Sequence, residues 1–211
     1  MLESYIQAHI SPEHPYLHRL YRESNLYLVR AHMVSGHIQG VLLRLLLEII
    51  CPREVLEIGT YTGYSALSMA SGLTGNGRIL TYEINDEMED FTRPRIEQSP
   101  WAERVEFCIG DVLTDLPDEV KQGRRRFDFV FIDGNKRQYV EYYQLALQYL
   151  TPHGLILADN TLWDGHVVDS AYDGDPQTEG IRRFNDLVAS DPRVDKVILP
   201  LRDGLTLIRK L

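Results

Sequence analysis

Three side chains with oxygen donors stand at the ends of two short apolar runs. Asp133 ends the run FDFVFID, and Asp159 and Asn160 end the run GLILADN. If these runs are neighbouring parallel strands, about 4.8 Å apart, residues leaving their carboxyl ends can meet over one ion. Two carboxylates and an amide oxygen suit Mg²⁺, Ca²⁺ or Mn²⁺ better than zinc. The pattern predicts a divalent-cation site, and the alternative is that both aspartates cap helices.

A lysine stands close to this predicted site. Lys136 follows Asp133 by three positions, so its side chain can lie at the same edge of the sheet. A lysine amine serves as a base when neighbouring positive charge depresses its pKa. Lys136 is therefore a candidate base, and the alternative is an ordinary surface lysine at the start of a helix.

A glycine turn follows an earlier apolar run, in the sequence VLEIGTYTGYS. Turns of this kind let a ligand approach the backbone closely. A dinucleotide site would use the pattern G-x-G-x-x-G, but Tyr61 occupies the middle glycine position after Gly59, so the turn that holds a pyrophosphate is absent. Glu83 ends the next run, where an acid accepts hydrogen bonds from both ribose hydroxyls. Together these features predict a nucleoside ligand without a diphosphate, although Glu83 alone fits a solvated strand end equally well.

These residues require a sheet whose strands end at one edge. Short β-rich runs alternate with helical segments, as in βαβ units on a parallel sheet. The predicted strands cover residues 54–58, 78–83, 105–109, 127–133, 154–159, 196–200 and 205–209. Asp203-Gly204 predicts a hairpin between the last two. The predicted fold is α/β, a Rossmann-like doubly wound seven-stranded sheet, mostly parallel with a C-terminal antiparallel hairpin and helices on both faces.

Helices are predicted between the strands. Apolar residues recur at helical spacing from His37 to Ile50, and Cys51-Pro52 ends that helix. Further helices are predicted to begin near Tyr64, Asp86, Asp111 and Lys136, and another carries the apolar positions 181, 184, 187 and 188. Residues 1–36 are predicted to hold one or two short helices, and residues 163–176 a loop rich in glycine and aspartate.

The composition is that of a globular protein with an acidic balance. The 211 residues are 44% hydrophobic and 25% charged, and 22 Lys and Arg face 31 Asp and Glu, a formal charge of −9. The absence of a basic stripe makes nucleic acid and anionic membranes unsuitable partners. We find no repeat and no flexible linker, so we expect one domain over residues 1–211, with residues 1–36 as an N-terminal helical segment.

The cysteines and the apolar runs bear on the compartment. Cys51 and Cys108 lie far apart in apolar surroundings, which favours a reducing environment. No apolar run approaches the roughly 18 residues of a membrane span, and the first residues carry an early acid rather than a basic leader. We therefore expect a cytoplasmic protein without a membrane partner.

The ordered set of motifs resembles the class I S-adenosylmethionine (SAM)-dependent O-methyltransferases, in the metal-dependent branch that includes catechol and caffeoyl-CoA O-methyltransferases. The motifs are EIGTYTGYS at 57–65, YE at 82–83, FVFIDGNK at 129–136, DNTLW at 159–163 and DG at 203–204. The resemblance runs from about Met33 to the C-terminus. It implies SAM as the cofactor and a divalent cation, Mg²⁺ first and Ca²⁺ or Mn²⁺ second. It also implies a homodimer, in which aromatic residues such as Tyr16, Tyr21 and Tyr27 could pack between subunits.

The resemblance also implies a role for individual residues. Those expected at the donor are Met33, Val34, Glu57, Gly59, Tyr61, Tyr64, Ser65, Glu83, Asp111, Val112 and Asp133. Among them, Glu83 would hold the ribose, Asp111 and Val112 would border the adenine, and Met33 and Val34 would belong to a flap. Asp133, Asp159 and Asn160 would bind the cation, and Lys136 would be the catalytic base.

The implied reaction is methyl transfer to a hydroxyl of a catechol-like, vicinal dihydroxy aromatic small molecule or its CoA ester. The N-terminal segment and the loop at 163–176 would select the acceptor. Trp163 and His166 would line its pocket, and the alternative is a core tryptophan and an exposed loop histidine. Two alternatives stay open. One is a non-catalytic SAM-binding protein, which would keep the glycine turn and Glu83 but would need no cation ligands. The other is an NAD(P)-dependent oxidoreductase, against which Tyr61 already argues.

Overall fold

The structure is a computed structural model and describes residues 2–211. Its α-helices are α1 (Leu2–His9), α2 (Pro15–Tyr27), α3 (His37–Ile50), α4 (Tyr64–Gly72), α5 (Glu89–Glu97), α6 (Val112–Asp115), α7 (Asp118–Lys121), α8 (Tyr139–Tyr149) and α9 (Pro176–Ser190). Its strands are β1 (Glu54–Ile58), β2 (Arg78–Glu83), β3 (Val105–Ile109), β4 (Phe127–Ile132), β5 (Leu150–Ala158), β6 (Val194–Leu199) and β7 (Leu205–Lys210). The predicted bounds of β1, β2, β3 and α3 are confirmed to the residue.

The strands form one seven-stranded sheet in the order β3-β2-β1-β4-β5-β7-β6. The β1–β4, β2–β3 and β4–β5 pairs are parallel, and β7 is antiparallel to both β5 and β6. The predicted fold class is confirmed, including the C-terminal antiparallel hairpin.

The chain divides into two compact units. The first comprises the described residues up to Arg53 together with Thr60–Gly110, and the second comprises Glu54–Gly59 and Asp111–Leu211. The expectation of one domain over residues 1–211 stays a prediction.

The first unit has a core built from its helices and β3. Buried residues of α2, α4, α5 and β3 pack together with Val34; they are Leu17, Leu20, Tyr64, Leu67, Ile96 and Phe107. Glycines let α3 and α4 approach closely, because a Cβ at Gly40 would crowd Ser68 and Tyr64, and one at Gly72 would overlap the backbone of Arg44.

The N-terminal helices are confirmed, and α2 is fixed to its own unit. Pro15 starts the helix after His14, whose Nδ1 accepts a hydrogen bond from the Tyr16 N–H at 3.1 Å. The Tyr16 hydroxyl donates to the Arg95 carbonyl at 2.5 Å. Tyr16 is therefore engaged within its own unit, whereas Tyr27 is 70% exposed.

One stretch bears on the membrane expectation. Ala31–Ile50 is long and apolar enough, with a mean hydropathy of 1.5, to pass a length and composition test for a spanning helix. The expectation that no run approaches that length is therefore wrong by this measure. A core helix of a soluble protein can be equally long and apolar. In the structure Gly36, with φ of +80°, separates a short 3₁₀ turn from α3.

The second unit surrounds the most buried strand of the chain. The apolar side chains of β4 are fully buried, as expected for a strand covered on both faces. Tyr139 and Tyr143 of α8 pack edge-on against Phe184 of α9. Asp175 caps α9 by accepting the Thr178 N–H at 2.8 Å.

Several bounds differ from those predicted. β5 begins at Leu150, four residues early, because its pairing with β4 bulges before Leu155 and His153 adopts a φ of +63° there. The helix expected from Lys136 starts as a 3₁₀ turn, Lys136–Gln138. The helix expected near Asp111 is only the four-residue α6, which Asp111 caps. The two cysteines have free thiols.

Candidate functional site

The structure brings Asp133 and Asp159 to neighbouring strand ends. In the parallel pair of β4 and β5, Ile132 lies opposite Ala158, and each aspartate follows directly. The Asp159 N–H donates to the Ile132 carbonyl at 2.9 Å, which fixes the two backbones together. Asp159 is only 3% exposed. The predicted meeting of the two strand ends is therefore what the structure shows.

Lys136 lies within this cluster rather than at the surface. It is 8% exposed, and its Nζ donates to Asp133 Oδ1 and to the Tyr139 hydroxyl, each at 2.8 Å. The Tyr139 hydroxyl in turn donates to the Asp159 carbonyl at 2.9 Å. One buried phenol thus ties the ammonium to the backbone of the second aspartate.

Tyr139 was not among the predicted site residues. Its ring is fully buried, and burial, followed by the charges of Asp133 and Asp159, raises its pKa well above the ordinary value. The phenol therefore stays protonated and serves as a neutral link. Its position three residues after Lys136, on the inner face of the same turn, is the signal that could have found it.

Asn160 is held by the C-terminal hairpin. Its φ is +57°, and its Nδ2 donates to Asp203 Oδ2 at 3.3 Å. The Asp203 carbonyl accepts the N–H groups of Leu162 at 2.7 Å and Trp163 at 3.2 Å. A Cβ at Gly204 would overlap Leu162. The sequence predicts Asp203-Gly204 as a hairpin turn and a family motif, and the structure adds that Asp203 orients an amide expected to bind the cation.

The alternative that both aspartates cap helices does not match the contacts. Asn135 caps the turn at Lys136, because its Oδ1 accepts the Arg137 N–H at 3.2 Å. Asp133 instead binds the ammonium of Lys136, and Asp159 Oδ1 accepts the adjacent Asn160 N–H at 2.7 Å.

The donor set fits a hard cation. Across residues 2–211, no group of three or more His, Cys, Asp and Glu side chains is placed to hold a metal ion. A cation at the ends of β4 and β5 would therefore have the amide of Asn160 as a third side-chain ligand. Asp133, Asp159 and Asn160 offer two carboxylates and an amide oxygen, which are the oxygen ligands of Mg²⁺ and Ca²⁺.

Gly59 has a structural reason within the second unit. Its φ is +99°, and a Cβ added to it would overlap the carbonyl of Asp133. The Asp133 N–H donates to the Ile58 carbonyl at 2.8 Å. Glu57, on β1 just before the turn, is fully buried. The glycine therefore allows the ends of β1 and β4 to approach, whatever else the turn binds.

In the first unit Glu83 is held by backbone donors. Its Oε2 accepts the Tyr61 N–H at 2.7 Å and its Oε1 accepts the Asn85 N–H at 2.9 Å. Tyr61 adopts a φ of +47°, uncommon for a residue other than glycine. Burial, opposed by Arg30, raises the pKa of the Tyr61 phenol, and Glu83 adds to the increase. The predicted pairing of turn and acid is present.

Tyr64 is placed differently from its implied role. Its side chain lies in the core of the first unit, and its hydroxyl donates to Glu13. Burial first, and then Glu13, raises the pKa of this phenol. The ring is therefore committed to the core, which leaves the start of α4, where Ser65 follows, as the part of this region able to face a ligand.

The remaining residues expected to bind the methyl donor differ in how exposed their side chains are. Met33 is 48% exposed, whereas Val34 belongs to the core of the first unit, so only the former resembles a flexible cover. In the second unit Asp111 Oδ1 accepts the Leu113 N–H at 2.9 Å, and Val112 is buried.

Aromatic side chains follow the cation-ligand cluster along the chain. The ring of Trp163 lies 5.8 Å from Lys136 Nζ. His166 stacks on Tyr172 at 3.5 Å between ring centroids and meets Trp163 edge-on at 6.4 Å. The residues expected to line an acceptor thus form a connected aromatic set beside the candidate base.

Known proteins match both the sequence and the fold. The family model described as O-methyltransferase matches residues 7–211. Caffeoyl-CoA O-methyltransferase 5 of Nicotiana tabacum is 36% identical over 188 residues, covering 85% of this chain and 78% of the tobacco protein. The corresponding enzyme of Petroselinum crispum is 35% identical over 188 residues, covering 85% and 77%.

Solved structures agree over nearly the whole chain. The O-methyltransferase from Bacillus cereus, in complex with SAH, has a TM-score of 0.88 and 32% identity, covering 100% of this chain and 97% of that one. The O-methyltransferase TomG from Streptomyces achromogenes, in complex with SAM, has a TM-score of 0.89 and 28% identity, covering 99% and 95%.

The sheet order and the residues at its strand ends define an α/β enzyme of the methyltransferase class. The chain belongs to the O-methyltransferase family. The family resemblance of its motifs is thereby confirmed, and the alternative of an NAD(P)-dependent oxidoreductase is wrong.

Proposed function

We propose that this protein is a SAM-dependent and divalent-cation-dependent O-methyltransferase whose acceptor is a vicinal dihydroxy aromatic or its CoA ester. The observation that carries the proposal is the cluster of Asp133, Lys136, Asp159 and Asn160 at the ends of β4 and β5. Relatives named as caffeoyl-CoA O-methyltransferases support the acceptor class, and structures in complex with SAH and SAM support the donor.

The residues of the cluster divide the chemistry between them. Asp133, Asp159 and Asn160 would hold a divalent cation, which supplies positive charge that makes a bound hydroxyl more acidic. Lys136 Nζ would take the hydroxyl proton in its neutral amine form, at the position defined by its contacts with Asp133 and Tyr139. The aromatic ring of Trp163 lies where it can orient a planar acceptor. Positioning and electrostatics thus account for most of the expected rate.

Donor binding is proposed for residues of both units. In the first unit Glu83 would accept hydrogen bonds from ribose hydroxyls, together with Tyr61, the start of α4 at Tyr64 and Ser65, and the cover at Met33 and Val34. In the second unit the proposed residues are Glu57, Gly59, Asp111, Val112 and Asp133. The backbone hydrogen bonds that orient Glu83 support its role most directly.

The test is methyl transfer from labelled SAM to catechol and to caffeoyl-CoA, with Mg²⁺ and again with EDTA. We expect product that depends on the cation. The variant Asp133→Asn should lose this activity, whereas Asp128→Asn, at the opposite end of β4, should keep it. Asp128 accepts hydrogen bonds from Glu54 and Thr151, so it is a matched carboxylate far along the same strand.

Two outcomes would contradict the proposal. Equal turnover with Mg²⁺ and with EDTA would remove the cation from the reaction. SAM binding by calorimetry without transfer to either acceptor would favour the remaining alternative, a non-catalytic SAM-binding protein. Homodimer assembly, a cytoplasmic location, the preference for Mg²⁺ and the absence of nucleic-acid and membrane partners stay predictions. Sedimentation equilibrium tests the dimer.

A further inference from the structure

The segment beside the cation-ligand cluster, residues 163–175, has no core of its own. Trp163, Asp164 and Gly165 all adopt left-handed conformations, with φ of +47°, +52° and +80°. They begin the first of two 3₁₀ stretches, Trp163–Val168 and Ser170–Tyr172, and neither stretch contains a buried residue. Apolar burial therefore contributes little to the conformation of this segment, here named the aromatic loop.

One side chain of α9 provides the missing support. The guanidinium of Arg182 donates to the carbonyls of Val167 at 3.1 Å, His166 at 3.1 Å and Asp169 at 2.9 Å. It also donates to the carboxylates of Asp173 at 2.7 Å and Glu179 at 2.8 Å.

Arg182 contacts the first 3₁₀ stretch at positions 166 and 167 and the residues on either side of the second stretch at positions 169 and 173. The planar fork of an arginine can satisfy several acceptors in fixed directions at once, which a lysine ammonium cannot reproduce. Because carbonyls at positions 166, 167 and 169 converge on one guanidinium, its removal loosens this part of the segment and with it the His166 ring that meets Trp163 edge-on. Arg182 itself contacts none of the residues proposed to bind the cation or the donor.

The aromatic loop carries the side chains nearest to the candidate base. Trp163 begins it, 5.8 Å from Lys136 Nζ, and the stacked pair of His166 and Tyr172 continues the aromatic surface. The carbonyl of His166 is one of the Arg182 acceptors, so the guanidinium and the stack hold the same turn.

We propose that Arg182 is a positioning residue that sets acceptor affinity by fixing the aromatic loop, and with it Trp163, beside Lys136. The inference rests on the proposed function, because it assumes a planar aromatic acceptor at that place. Arg182 acts through the loop and takes no part in the chemical step.

The first experiment separates acceptor binding from donor binding. In Arg182→Ala, with caffeoyl-CoA as the probe, we expect the acceptor KM to rise about tenfold or more, as for a loosened binding wall. The donor KM should change less than about twofold, since the donor residues are untouched. Arg183→Ala, at the next position of α9, is the matched control and should behave as the wild type. Arg182→Lys should recover part of the loss.

A second measurement does not depend on turnover. The chain has two tryptophans, so a Trp101→Phe background leaves Trp163 as the single fluorescent indole. In that background Arg182→Ala should make Trp163 more accessible to acrylamide quenching, while Arg183→Ala should not. Thermal unfolding of all variants checks that the fold is retained.

The outcomes separate the two proposals. Unchanged quenching of Trp163 in Arg182→Ala overturns the inference, and so does greater quenching with an unchanged acceptor KM. If the wild type transfers no methyl group, the proposed function fails, and the quenching result alone then decides whether Arg182 fixes the loop. A parallel rise of both KM values also overturns the inference, because it indicates a general structural defect.

Discussion

Two carboxylates expected at the site are held in different ways. Glu83, in the first unit, accepts hydrogen bonds from the backbone N–H groups of Tyr61 and Asn85. Asp133, in the second unit, is bound by the side chain of Lys136. Backbone donors survive almost any substitution, whereas a side-chain partner can be deleted or can move. A substitution can therefore take away the partner of Asp133, whereas Glu83 keeps its backbone donors.

The largest expected effect comes from removing an expected cation ligand of the second unit. Asp159→Ala should lower kcat/KM by about 10³-fold, because it removes the charge that holds the cation against the acceptor. SAM binding by calorimetry should change less than about twofold. Asp195→Ala, on the exposed edge strand β6, is the control. Substantial metal-dependent turnover in Asp159→Ala would show that the cation lies elsewhere.

The second effect concerns the side chain that holds Asp133. Lys136→Met keeps the length of the side chain but removes the ammonium, and we expect kcat to fall by about 10²-fold, the usual contribution of a positioned base. The rate is measured at saturating cation, with Lys121→Met as the control. An unchanged rate would leave activation by the cation as the whole explanation.

The third effect tests the backbone-held side. Glu83→Ala should raise the donor KM by roughly 10- to 100-fold, because hydrogen bonds to a charged group are each worth about 1.5 to 3 kcal/mol. Asn85→Ala keeps the N–H that holds Glu83, so its donor KM should stay within about twofold of the wild-type value. If only acceptor affinity changed in Glu83→Ala, the ribose role would be wrong.

The smallest effect on activity is expected at a third carboxylate, outside the site. Asp191 binds Arg193 at 2.6 Å and the Tyr143 hydroxyl at 2.9 Å, and these hydrogen bonds, Arg193 first, lower its pKa. A carboxyl whose pKa is lower in the folded state stabilises that state above the unfolded value of about 3.9. The contribution is lost as pH falls through the folded value.

Asp191→Asn should therefore lower the free energy of unfolding at pH 7 by about 2 kcal/mol, measured by urea denaturation. The difference from the wild type should shrink below about pH 4, and kcat/KM at low temperature should stay unchanged. Lower activity without lower stability in Asp191→Asn would contradict this prediction, because it would mean that Asp191 contributes to the reaction. Asp186→Asn, on the exposed side of α9, serves as the control.

The sequence predicted the regular parts of this molecule well and the supports of the site poorly. Strand bounds such as 54–58 and 78–83 followed from short apolar runs between turn residues, which are local signals. The early start of β5 could not be predicted from local signals, because the bulge at His153 depends on pairing with β4. The contacts of Tyr139, Asp203 and Arg182 were not predicted for the same reason, since each acts on residues brought to it by folding.

The positions of candidate ligands could be predicted where these residues follow strand ends. Asp133, Asp159 and Asn160 follow buried runs, so their approach required only the assumption of adjacent parallel strands. The glycine at position 59 was interpreted as space for a ligand, but its contact with the Asp133 carbonyl shows a packing reason. A glycine in the sequence indicates that another group approaches its backbone closely, but it does not identify that group.

The hydrogen bond between Asn160 and Asp203 of the C-terminal hairpin sets an order of folding steps during synthesis. Asn160 and its partner Asp203 are 43 residues apart in the chain. At about 5 to 20 residues per second, Asp203 is made roughly 2 to 9 s after Asn160. Until then β4 and β5 can pair, but the amide of Asn160 lacks its partner Asp203. A ribosome-bound chain should therefore pair β4 with β5 before Asn160 gains the partner that orients its amide.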